Sequence, residues 1–94
     1  MKRRDIPLQM ICLCNENGSI SPVRFKFEDE DANSHVCRVV RVINVKHSEL
    51  AGIDALLYQC AVQSENKTAT VWLRYTVMSR KWMLLGSEEE NYVS

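Results

Sequence analysis

The stretch Ser21-Pro22-Val23-Arg24-Phe25-Lys26-Phe27-Glu28 decides the fold class. Val23, Phe25 and Phe27 alternate with Arg24, Lys26 and Glu28, and a period of two places three apolar side chains on one face of a strand and three charges on the other. Upstream, residues 8–14 alternate as well. Leu8, Met10, Cys12 and Cys14 fall on one face, and Gln9, Ile11 and Leu13 on a second face too apolar to be left wholly in water. Between these strands Asn17-Gly18 tolerates positive φ, which a tight hairpin requires.

Downstream, Asp29-Glu30-Asp31-Ala32-Asn33-Ser34 is solvated and poor in strand formers, so it reads as a turn. Residues 36–45 then form a long strand that is apolar on both faces, apart from Arg38 and Asn44 on one and Arg41 on the other. A strand of that kind is central, strongly curved, or covered by a partner. At 48–52 the period changes: Ser48 suits an N-cap, Glu49 a first turn and Gly52 a left-handed terminator, which predicts one short helical turn. Alternation resumes at 55–63, with Leu56, Tyr58, Cys60 and Val62 on one face, and at 68–78, with Ala69, Val71, Leu73, Tyr75 and Val77 opposed to Thr70, Trp72, Arg74 and Thr76. A last strand over 81–85 points Trp82 and Leu84 inward, and 1–6 and 86–94 read as frayed ends. The pattern predicts a single all-β domain over 1–94, a small six-stranded antiparallel barrel or curled sheet, because a flat sheet of this size leaves one greasy face in water.

Composition narrows the function classes. A chain of 94 residues is one unit that buries about 60–65% of its unfolded surface. Twelve basic and twelve acidic residues cancel, so bulk charge draws it neither to nucleic acid nor to an anionic membrane. Met1-Lys2-Arg3-Arg4 precedes an apolar run, but Asp5, Pro7 and Gln9 interrupt it before it resembles a signal peptide. With no window of 18 apolar residues to span a membrane, the expected location is cytoplasmic.

Four cysteines raise the questions of metal and nucleophilic chemistry. Cys12, Cys14, His35 and Cys37 would make a Cys₃His zinc site. Cysteines two apart on a strand are about 6.6–6.8 Å apart along its axis, whereas two thiolates at about 2.3 Å from one zinc lie within roughly 4 Å of each other. The expectation is therefore reduced thiols, no metal and no cofactor. His35 shares a face with Cys37 and could serve it as a base, but no Gly-rich loop or helix start accompanies them to hold an oxyanion. Without a phosphate loop, a dinucleotide fingerprint or a nucleophile elbow, the chain does not read as an enzyme.

Binding is the better-supported class. Trp72 and Arg74 lie on the solvent face of the 68–78 strand, and Arg24, Lys26, Arg38 and Arg41 form a basic set. Gathered together, they would make the stacking-plus-cation groove with which small barrels hold single-stranded nucleic acid. Alternatively Trp72 packs over a second apolar layer on Ile11, Leu13 or the helical turn, or anchors a protein partner or homodimer. Neutral charge and few aromatics favour the protein partner.

Ile20-x-Pro22-x-Arg24-Phe25-x-Phe27-Glu28-Asp29, the strand over 36–45, Ala51-Gly52 and Lys81-Trp82-x-Leu84 together resemble a group of short, uncharacterised bacterial all-β proteins. The resemblance implies a bacterial cytosolic protein and carries no functional residue across.

Overall fold

The computed structural model describes residues 2–89. Among them, six antiparallel strands run in sequence order, β1 (Lys2–Cys14), β2 (Ile20–Glu28), β3 (Ser34–Leu50), β4 (Ile53–Ser64), β5 (Lys67–Thr76) and β6 (Lys81–Glu89). β6 returns to pair with β1, closing a meander barrel. Closure leaves one strand face inside, which is where the alternating apolar set goes: Phe25, Cys37, Tyr58, Cys60, Val62, Val71, Leu73, Tyr75, Trp82 and Leu84 are buried together. Tyr58 and Tyr75 each tilt against Trp82, with ring centroids 5.2 and 4.9 Å away. Packed aromatics bury large areas and gain further from this geometry.

The helical turn expected at 48–52 is absent. β3 continues to Leu50 and returns through Ala51 (φ 53°) and Gly52 (φ 80°), with Leu50 opposite Ile53. Two consecutive positive φ angles make a type I′ hairpin, whose twist matches that of the strands, and the Gly52 read as a helix terminator is a hairpin residue. The turns at 15–19 and 29–33 share one design. In each, the first residue's N–H donates to the fifth residue's carbonyl and the fourth residue's N–H to the first's carbonyl, with Gly18 (φ 86°) and Ala32 (φ 63°) in the left-handed region. The ends read as frayed are paired where they are described: Lys2 lies opposite Ser87 and Arg3 opposite Gly86. The remainder of that expectation, residue 1 and 90–94, lies outside the described residues.

Strict alternation fails at five register shifts among the described residues, one of them between Arg3 and Ile6 where β1 pairs with β6. Val23, Val40, Ile43 and Leu85 are extra residues between consecutive pairs: Cys12 faces Pro22 while Ile11 faces Arg24, Val39 faces Val62 while Arg41 faces Ala61, Val42 faces Cys60 while Asn44 faces Gln59, and Leu73 faces Leu84 while Trp72 faces Gly86. Bulges bend and twist a strand, and a small barrel needs that curvature. They also turn apolar residues outward. Val23, expected inside with Phe25, is exposed beside Arg24; Val40 is exposed beside Arg41, and Ile43 beside Asn44.

Strand lengths are unequal. β3 has 17 residues and β2 only 9, and their ladder ends at Arg24 opposite Arg38. From 39 to 50, β3 pairs with β4 alone, and the molecule is drawn out to 43 × 28 × 20 Å.

Candidate functional site

The structure divides the predicted binding set. Arg24 and Arg38 are direct cross-strand partners on the outer face, and Lys26, opposite Val36, is two residues along β2. Arg41 follows on β3 opposite Ala61. Arg38 donates to Gln63 Oε1 at 2.7 Å, and among the described residues no carboxylate pairs with Arg24, Lys26, Arg38 or Arg41. Like charges directly opposite one another are unfavourable in a sheet. Glu28 is the acidic residue on the same face of β2, at the far end of the stripe.

Trp72 and Arg74 lie elsewhere. They belong to β5, three strands from β2 in either direction around the ring. Trp72 is half-buried between Gln59 and Gly86, and Arg74 reaches Asp5 Oδ2 at 3.6 Å. Nor does Trp72 share a row with Ile11. Its row meets β1 at Arg3, eight residues and about 26 Å of strand from Ile11.

Aliphatic side chains that single-period reading did not assign to a site accompany the basic stripe instead. Ile11 is opposite Arg24, and Ile11, Val36 and Val40 are each more than half exposed, with Leu13 and Val23 beside them. A shallow outer groove of about 330 Å³ is lined by Gln9, Ile11, Arg24, Lys26 and Val36 with Met10 and Phe25. Part of this was visible in sequence, in the apolar second faces of 8–14 and 36–45. The bulge residues Val23 and Val40 carried no signal, since a bulge depends on tertiary pairing.

Where β3 outruns β2 a second, more apolar groove opens, of about 510 Å³, lined by Ile20, Val42, Val45, Leu56, Tyr58, Tyr75 and Val77 with Gly18, Ser19 and Ser21. The Tyr58 hydroxyl crosses its floor to donate to the Ile20 carbonyl at 2.6 Å. Burial first, then the neighbouring Cys60, Tyr75 and Cys12, push the Tyr58 phenol above its usual range.

At the opposite mouth, a cavity of about 280 Å³ contains His35 and Cys37, walled by Phe25, Phe27, Val62 and Leu84. His35 stacks on Phe27 at 5.1 Å, and its Nε2 is 2.7 Å from Asp29 Oδ2. That contact, with the backbone amides of Asn33 and Asp31, holds the Asp29 carboxyl below its usual range. Cys37 is buried, and desolvation raises its thiol despite the Ser64 hydroxyl beside it. A nucleophile needs a lowered thiol, so the geometry is that of a core cysteine. Cys12 faces Pro22 while His35 faces Phe27, five residues and about 16 Å apart along β2. No group of three metal-ligating side chains occurs among the described residues, and no helix there is long and apolar enough to cross a membrane.

Comparison with protein-family models, with curated proteins and with solved structures finds no match.

Proposed function

We propose that this domain is a non-enzymatic binding module that works through protein–protein contacts on the β1–β3 side of the barrel. The carrying observation is the contiguous outer patch of Ile11, Val23, Val36 and Val40 interleaved with Arg24, Lys26, Arg38 and Arg41. Apolar side chains beside unpaired cations are what a partner surface covers. A basic stripe without stacking aromatics supports a nucleic-acid reading less, since Trp72 belongs to the far side.

A photo-crosslinking residue at position 40, compared with one at Thr70 on β5, tests the proposal in the cells that make the protein. Protein adducts at 40 and none at 70 are expected. Equal labelling at both positions, or none at either, refutes it, and sedimentation of the purified chain separates a second copy from a different partner.

A further inference from the structure

Resting on that reading, we infer that the partner contributes an extended segment that adds as a strand to the free edge of β3 over residues 39–50, with apolar side chains turned into the groove and carboxylates turned out toward the basic stripe. A strand whose ladder stops partway presents alternate N–H and C=O groups outward, and these fit the backbone of any extended peptide. β3 offers such an edge because its pairing with β2 ends at Arg38. From Asn44 to Leu50 its ladder with β4 is regular, so the edge there is straight enough to template another strand.

The surroundings select the side chains. An added strand alternates in and out with a spacing of about 6.6 Å on each face. Inward positions meet Val42, Val45, Leu56 and Tyr75, an almost wholly apolar lining. Outward positions pass Arg38, Arg41 and Lys46, which have no carboxylate partner among the described residues. The matching segment therefore alternates apolar and acidic residues. A second copy fits less well, because it would set Arg41 and Lys46 of one chain against those of the other, while Glu49, the one acidic residue of 39–50, falls on the opposite face with Val45. Single-stranded nucleic acid would find no exposed aromatic ring in this groove for its bases.

The experiment uses three fluorescein-labelled probes, read by anisotropy at low salt: a ten-residue peptide alternating Val and Glu, the same peptide N-methylated at alternate residues, and a 20-mer of thymidine. Amide exchange of residues 39–50 is followed by NMR in parallel. The expectation is a Kd below about 100 μM for the first peptide, at least tenfold weakening on N-methylation, and at least tenfold slower exchange of the outward-pointing β3 amides. The substitutions Arg41→Glu and Lys46→Glu should each weaken binding about threefold or more, and Lys67→Glu at the start of β5, which changes net charge equally, should leave it unchanged.

Equal binding of both peptides would overturn strand addition while leaving the binding-module reading intact. A dimer with the same amides protected would assign the edge to a second copy, tighter binding of the thymidine 20-mer would assign it to nucleic acid, and no binding with unchanged exchange would leave the edge without a ligand of this class. Each of these three results overturns the inference.

Discussion

Removing one oxygen atom tests how the open side of the barrel is held. Tyr58 is 3% exposed, its ring lies against Trp82 at 5.2 Å, and its hydroxyl donates to the Ile20 carbonyl at 2.6 Å. This bond crosses from β4 to the first residue of β2, where the β2–β3 ladder no longer reaches. In Tyr58→Phe the ring contacts persist, while the bond is lost and a partly buried carbonyl is left without it. Net loss of such a bond, together with the unsatisfied acceptor, costs about 1–2 kcal/mol. With an unfolding entropy of about 2.1 cal/mol/K per residue, a chain of this length loses about 5–10 °C in Tm.

The assay is thermal and urea unfolding followed by near-ultraviolet circular dichroism and tryptophan fluorescence, with an unchanged m-value required to show that the same surface unfolds. The pH dependence gives an independent check. A phenol raised above its ordinary value of 10.0 keeps its proton longer in the folded state, so its contribution is complete below pH 10 and is lost as pH rises toward the folded value. The gap between wild type and Tyr58→Phe must therefore narrow above pH 10. A fall in Tm below about 2 °C at neutral pH, or a gap that widens in alkali, would refute the reasoning.

Three further outcomes follow from the same geometry. Ala51 occupies a left-handed position (φ 53°) that Asn tolerates far better, so Ala51→Asn should raise stability by about 0.5–1 kcal/mol in a urea titration. In the native state at pH 8, a thiol reagent should modify exposed Cys12 and Cys14 quickly and Cys37 and Cys60 only on unfolding, since Cys60 is 0% exposed with its thiol pushed up to about 11. The lowered Asp29 carboxyl stabilises the fold above its unfolded value and loses that effect as pH falls through the folded one, so Asp29→Asn should destabilise at pH 7 and bring the variant and wild type together in acid.

The strands were legible wherever one face is buried and the other wet. Phe25, Tyr58, Cys60, Leu73, Trp82 and Leu84 all lie inside, as their period of two requires. What escaped the reading depends on pairing across the sheet. Val23 fits the alternation of its own strand, but the bulge opposite Ile11 and Cys12 turns it out, and no local pattern marks that shift. Ser48 to Gly52 carries helix capping signals, yet Leu50 opposite Ile53 continues a long ladder, and the pairing overrides the local propensity. Trp72 and the cations were separately visible as unusual outward residues. Their separation depended on strand order, which a single sequence does not state.

The composition of 36–45 acquires a physical reason once strand lengths are known. Had β3 matched the nine residues of β2, the barrel could close with its inner face apolar and its outer face polar, and a second apolar face would only promote aggregation. β3 instead extends to Leu50, the bulges at Val40 and Ile43 turn aliphatic residues outward beside Arg41 and Asn44, and Val42 and Val45 line a groove that no strand of the described chain covers. The bulges supply curvature, but the aliphatic residues they turn outward, the uncovered groove and the unpaired edge oppose the stability or solubility of a lone barrel. They occur together along one free edge, and an added strand would answer all of them at once by pairing the backbone, covering the groove and meeting the cations with carboxylates. On the proposed reading a partner accounts for the second apolar face of the strand, which curvature alone does not require.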